Sequence, residues 1–253
     1  MTTDPMTIFL DIYNDLPRQG PGSPQATERA LSHVPTLAGN AIIADIGCGP
    51  GMQTMNLAEQ TSAHIIGVDF HTQYLAQLNE RATANGLQNR ISTIQADMNH
   101  LPFNANSLDL IWSEGAVYIM GVTNALTTWK PFLKPAGTIA FTEIAWIRDN
   151  LPQTIYDYWT ENYAKMASTE EKIAEIHEAG YDVSVHFTLS ADEWWTHYYA
   201  PLEARLPAMS EKYADNPLGQ SIIAETRREL SMHREYGDYY SYVFFVCQLS
   251  DNN

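Results

Sequence analysis

Three carboxylates stand at the ends of three successive apolar runs, and a glycine turn follows the first. The run Ile42-Ile43-Ala44-Asp45-Ile46 leads into Gly47-Cys48-Gly49-Pro50-Gly51. His64-Ile65-Ile66-Gly67-Val68 ends at Asp69, and Ile91-Ser92-Thr93-Ile94-Gln95-Ala96 ends at Asp97 and Met98. Glycines at alternate positions let the backbone turn tightly and let a ligand lie on main-chain N–H groups. An acid about twenty residues past such a turn can accept both hydroxyls of a ribose. A dinucleotide turn needs the spacing G-x-G-x-x-G. Here the pattern is G-x-G-x-G, with Met52 next, which weighs against a nicotinamide dinucleotide. Capping of a strand end is the alternative for each acid, but three in succession favour a site.

Further candidates follow along the chain. A fourth apolar run, Leu108-Asp109-Leu110-Ile111-Trp112, enters Ser113-Glu114-Gly115, and Tyr118 comes one helical turn later. Glu114 can orient a ligand, act as a base, or cap the helix that follows. Trp194, Trp195, His197, Tyr198 and Tyr199 crowd a late stretch, and Trp146 follows the fifth apolar run. Such rings can wall an apolar or cationic ligand, or be packing alone. His197 is a candidate general base through its place among them.

The order of these marks between about residues 40 and 145 resembles the class I S-adenosylmethionine (SAM)-dependent methyltransferases, of the type similar to ubiquinone/menaquinone-biosynthesis and other small-molecule methyltransferases. The resemblance implies SAM as cofactor, S-adenosylhomocysteine as product, and in-line methyl transfer to a small-molecule acceptor. It places Asp45, Gly47, Gly49 and Gly51 at the methionine end of SAM. Asp69 holds the ribose with Phe70 beside it, and Asp97 and Met98 hold the adenine. Tyr13 and Ser113 join this cofactor set, Tyr13 because relatives often fold such an N-terminal segment over the cofactor. Glu114, Tyr118 and His197 are the catalytic candidates, and no metal is expected. Two departures stand out. The usual Lys-Pro-Gly-Gly turn reads Lys134-Pro135-Ala136-Gly137, and Ser113-Glu114-Gly115-Ala116 replaces the Asn/Asp-Pro-Pro-Tyr signature of many nucleic-acid and protein amide methyltransferases. The second argues against an exocyclic amine of a base as acceptor. A non-catalytic SAM-binding sensor, an NAD(P)-linked oxidoreductase and an aminopropyl transferase are the rival readings.

Composition narrows the partners. The 253 residues carry a net charge of −16, from 14 Lys and Arg against 30 Asp and Glu. An acidic surface repels phosphate backbones, so nucleic acid is not an expected partner. No apolar run approaches the roughly twenty residues of a membrane span. Met1-Thr2-Thr3-Asp4-Pro5 lacks the basic start and apolar core of a secretory leader. Cys48 and Cys247 read as small buried residues. A cytoplasmic protein with a small-molecule acceptor and no membrane partner is expected; a homodimer stays open.

The elements that must position these residues alternate in type. Strand–helix alternation over the first 145 residues predicts a parallel sheet covered on both faces. Helices are expected near 51–60 and 72–85, the second burying Leu75, Leu78 and Ala82. A fifth strand is expected over 138–143, after the 133–137 turn, with two helices within 152–179, strands over 181–189 and 241–249, and helices over 191–213 and 218–236 between those last two strands. The fold class expected is α/β and Rossmann-like: a seven-stranded, mostly parallel sheet with helices on both faces, an antiparallel final strand and a helical insertion before it. Residues 1–38 are read as a cofactor-covering segment, 39–150 as the SAM-binding core, and 151–180 and 190–237 as helical substrate-side additions.

Overall fold

The computed structural model describes residues 4–14 and 16–250; Met1-Thr2-Thr3, the start of the segment compared with a leader, lies outside the described residues. The first five strands are β1 (Ile42–Ile46), β2 (His64–Asp69), β3 (Ile91–Gln95), β4 (Leu108–Ser113) and β5 (Leu133–Trp146). They are parallel, and β1, β4 and most of β5 are buried, which is why they read as near-continuous apolar runs. β6 (Tyr181–Thr188) and β7 (Tyr240–Leu249) complete the sheet in the order β3-β2-β1-β4-β5-β7-β6, with β7 antiparallel to both neighbours.

Helices cover both faces. α3 (Met52–Gln60) and α4 (Thr72–Ala84) follow β1 and β2, α5 (Val122–Trp129) follows β4, and α6 (Gln153–Asn162) and α7 (Thr169–Glu178) precede β6. The apolar stripe of α4 buries Tyr74, Leu75, Leu78 and Ala82. α7 starts at a capping box, in which Ser168 and Glu171 each satisfy the other's backbone N–H. No helix among the described residues is long and apolar enough to cross a membrane.

The insertion between β6 and β7 holds α8 (Ala191–Trp194), one π-helical turn (Trp195–Tyr199), α9 (Ala200–Lys212) and α10 (Pro217–Tyr236). Against it packs α1 (Pro5–Tyr13), whose Ile8 and Ile12 are fully buried. The carbonyls at the end of α1 have no partner within the helix. Arg205 of α9 supplies one, donating to the oxygens of Asp11 and Ile12 at 2.9 Å each. Lys212 and Tyr213 both reach the Asp11 carboxylate at 2.7 Å. A second short helix, α2 (Pro24–Leu31), is capped by Ser23 and lies on α3.

β5 begins earlier than expected. It opens at Leu133, so the Lys134-Pro135-Ala136-Gly137 turn lies inside the strand as a bulge, and the register with β4 jumps from Leu108↔Leu133 to Leu110↔Thr138. The bulge is pinned by Lys134 to Asp109 at 2.7 Å. Exposed Ala136 takes the left-handed φ of 62°. An L-residue there is strained by about 1–2 kcal/mol, and glycine removes this at some cost in chain entropy. Ala136→Gly is therefore expected to stabilise the protein by ~0.5–1 kcal/mol, read as a higher midpoint with unchanged slope in urea unfolding.

Candidate active site

The sheet order reverses at β1: β2 and β3 lie on one side, β4 and β5 on the other. Loops leaving neighbouring strands at such a point diverge and open a crevice beyond the strand C-termini. A cavity of about 440 Å³ lies here, a size usual for small-molecule sites. Its floor is Gly47 to Pro50, Asp69, Phe70, Asp97 to Asn99, and Met52 and Gln53 at the start of α3. Its roof is Phe9, Leu10 and Tyr13 of α1 with the loop from Arg18 to Pro21. Glu114, Tyr118, Ile119 and Tyr198 close the remaining side.

The glycine turn is built differently from the expectation. Gly47 and Cys48 both donate their N–H to Val68 O, at 2.8 and 3.0 Å, and Gly51 donates to Cys48 O at 3.0 Å. Gly49 N donates to Asp69 Oδ2 at 2.9 Å. The N–H groups of Gly47, Cys48, Gly49 and Gly51 are thus spent within the protein. Free donors come instead from the first turn of α3, which carries no side-chain cap. Gly47 (φ 73°) is required because a Cβ would lie 2.4 Å from Ala116 Cβ. At Gly51 (φ 87°) a Cβ would lie 2.2 Å from Leu78 Cδ1, so this glycine seats α4 against the turn and is not on the cavity wall.

Asp45 is also off the wall. It is fully buried and accepts from Thr54 Oγ1 at 2.5 Å and Gln53 Nε2 at 3.4 Å. Burial pushes its carboxyl up to about 7, against the bond from Thr54. It anchors the start of α3 from behind the cavity wall, whereas the resemblance placed it at the methionine end of SAM. Ser113 is likewise fully buried, donating to Ile46 O at 2.8 Å, and takes no place on the wall.

The other cofactor candidates do come together. Asp69 Oδ1 accepts from His71 N at 2.8 Å, so this acid ties the glycine turn to the start of α4 while facing the cavity. Burial raises its carboxyl above the usual range. Asp97 is half exposed at the rim, with Asn99 donating from backbone and side chain at 2.9 and 2.8 Å and holding its carboxyl below the usual range. Met98 is fixed through its carbonyl by Trp129 Nε1 at 2.8 Å. Phe70 is 64 % exposed on the wall.

Glu114 is a buried structural acid. Its Oε1 accepts from Thr27 Oγ1 at 2.7 Å and Trp112 Nε1 at 2.8 Å, and its Oε2 pairs with Arg18 Nη2. With these donors on both oxygens it is poorly placed to serve as a base. Arg18 is equally buried, and its Nη1 has no hydrogen-bond partner. Gln19 beside it accepts from Tyr74 at 2.9 Å and donates to Tyr13 O at 3.0 Å, pinning the roof to α4. Arg18, Gln19 and Gln53 were missed as site residues. Arg18 and Gln19 sit in a Gly/Pro-rich loop with no periodicity, inside the segment read as covering the cofactor but not singled out within it.

The aromatic stretch divides. Trp194 is buried against His233 at 4.4 Å, Trp195 lies under Arg234, and Tyr199 is fully buried. Trp146 stacks on Tyr156. None of these touches the cavity; Tyr198 alone of the stretch does. His197, a candidate base in the sequence, lines a separate groove with Ser23, Arg29 and Phe187 and is not on the cavity wall. Tyr118, 43 % exposed, lines the cavity, and so does Tyr13, with its hydroxyl 3.3 Å from Thr226 Oγ1.

Residues 43–137 match the family described as the methyltransferase domain. A methyltransferase, GfsG, of Streptomyces halstedii is 29% identical over 47% of this chain and 42% of its own length. Sterol 24-C-methyltransferase ERG6B of Gibberella zeae is 24% identical over 75% of this chain and 51% of its own. The chain spans about half the length of the curated relatives it matches. Among solved structures, a SAM-dependent methyltransferase from Geobacter sulfurreducens, in complex with S-adenosyl-L-homocysteine, aligns with a TM-score of 0.81 at 21% identity, covering 96% of this chain and 98% of that one.

Two outcomes are expected from this geometry. Glu114→Ala leaves Arg18 as an uncompensated buried charge and lowers stability by about 3–5 kcal/mol in urea unfolding. His197→Ala, lying outside the cavity, leaves turnover and its pH profile within about twofold of wild type in steady-state kinetics.

Proposed function

We propose that this chain, whose residues 43–137 belong to the methyltransferase domain family, moves a methyl group from SAM to a small-molecule acceptor. The observation that carries this reading is the joining of three successive strand ends in one cavity. The turn after β1, Asp69 after β2 and Asp97-Met98 after β3 line it together.

The residues present fit the donor. Its amino acid part has an anionic and a cationic end. Arg18 Nη1, buried without a partner, and the uncapped first turn of α3 suit the carboxylate. Asp69 has lone pairs left for ribose hydroxyls, and Asp97 with Met98 suits the adenine edge and face. When bound, SAM supplies an electrophilic methyl group on a sulfonium sulfur. The protein's part is positioning: Tyr13, Tyr118 and Tyr198 share the cavity wall and would orient the acceptor toward the methyl group. Positioning of this kind lowers a bimolecular barrier by several kcal/mol. The roof of α1 and the 18–21 loop excludes water from the same space. The acidic net charge weighs against a nucleic-acid acceptor.

The test is SAM binding by calorimetry together with release of S-adenosylhomocysteine against a panel of metabolites. SAM binds and at least one acceptor is turned over. Asp69→Ala weakens SAM binding by about 2 kcal/mol, roughly thirtyfold in Kd. NADH binding without SAM binding would overturn the reading, and tight SAM binding with no release from any acceptor would favour a sensor.

A further inference from the structure

The cavity wall is divided by charge. Its carboxylates, Asp69, Asp97 and Glu114, and its arginine, Arg18, come, like His71, from the loop before the sheet or from at or just past the strand ends. Arg18 and Glu114 pair with each other. α1 contributes Phe9, Leu10 and Tyr13, the turn after β4 contributes Tyr118 and Ile119, and the π-helical turn contributes Tyr198. None of these six side chains carries a charge at neutral pH. Binding of SAM draws on the first group and leaves the second free.

The uncharged part is also where apolar surface stays open. Seven large apolar side chains stand exposed among the described residues, and four of them, Phe9, Phe70, Tyr118 and Ile119, line this one cavity. Phe70 follows the ribose acid Asp69 and belongs with the donor. Phe9, 41 % exposed, and Ile119, 61 % exposed, have no such claim on them. α1 is apolar on two faces. Ile8 and Ile12 are its buried face, while Met6, Phe9, Leu10 and Tyr13 recur at helical spacing on another, with Met6 and Phe9 exposed. One apolar face is enough to seat a surface helix, so the second is there for something else. The turn after β4 is held from outside the cavity: Lys165 Nζ donates to Met120 O at 2.7 Å, and Lys165 itself is not on the wall. Exposed apolar side chains gathered at a cavity mark a ligand with apolar surface of its own. A second copy of the chain is a poorer occupant, since it brings the same net charge of −16, and an anionic lipid surface is repelled likewise.

We propose that the acceptor is an uncharged molecule with an extended apolar body, which lies against Phe9, Leu10, Tyr118 and Ile119 while its reactive end enters the cavity. This deepens the methyl-transfer reading and rests on it for the word acceptor, but the apolar seat itself is a property of this chain's own residues. A charge on the bound molecule loses its water and meets no free partner, because Arg18 is committed to Glu114 and to the donor's carboxylate. Each methylene that the seat covers tightens binding by about fourfold in Kd.

The experiment has a binding arm and a turnover arm. Protein saturated with S-adenosylhomocysteine is titrated by calorimetry with the 1-alkanols from butanol to octanol, and with octanoate and octylammonium. Affinity rises by about two- to fourfold per added methylene, and both charged chains bind about tenfold more weakly than octanol or worse. Ile119→Ser, at an exposed position, keeps the urea midpoint near wild type and flattens that rise; Phe9→Ser flattens it from α1. In the turnover arm, the compounds that release S-adenosylhomocysteine are uncharged and apolar, and Ile119→Ser raises their KM more than it lowers kcat. No dependence on chain length, a rise unchanged in both variants, or equal binding of the charged chains overturns the proposal even if methyl transfer is found. A wild-type dimer that Ile119→Ser dissociates in sedimentation velocity makes the surface a contact between copies and overturns it too. An Ile119-dependent rise without turnover of any compound upholds the apolar seat and overturns the methyl-transfer reading alone.

Discussion

A single buried ion pair holds the two halves of this site together. Glu114 leaves the end of β4, and Arg18 leaves a loop that precedes the sheet in sequence. Neither charge is favourable inside a protein on its own; each offsets the other, and Thr27 and Trp112 complete the bonding of Glu114 while Arg18 Nη1 stays unpartnered. Around that pair the loop from Arg18 to Ser23 takes its shape. A Cβ on Gly22 would come within 2.6 Å of Arg18 Nη2, so the loop wraps its own arginine. Gly22 N and the Ser23 hydroxyl then reach Glu193, at 2.9 and 2.7 Å. The pair therefore links the sheet, the roof and the helical insertion at one point.

The framework was legible in the sequence because its signals are local. Period-two and 3.6-residue apolar patterns mark elements whatever the rest of the chain does. α4 and α10 fall within a residue or so of where their stripes predict them. β5 departs because a left-handed alanine lets the strand run through a turn that otherwise interrupts it.

The site was legible only where chemistry and position coincide. Asp69 and Asp97-Met98 stand at strand ends and line the cavity. Asp45 carries an equally suggestive position, yet the turn of one strand residue decides whether an acid faces the crevice or the helix behind it. Thr54 and Gln53, which claim Asp45, give no sign of doing so in sequence. The late aromatic stretch failed for a related reason. The π-helical turn changes the angular spacing inside Trp195–Tyr199, so no fixed helical period tells Tyr198 from Tyr199. One lines the cavity and the other fills the core.

The roof has a temporal consequence. α1 is among the first segments of this chain to be made, but the groups that seat it, Arg205 and Lys212, lie some 190 to 200 positions later. Contacts between such distant residues are the slowest to form, because the loop they close must first be ordered. During synthesis the glycine turn and its two partner strands are complete long before anything covers them. The cavity is thus assembled floor first, and its closed form exists only once the last strand and the insertion before it have docked.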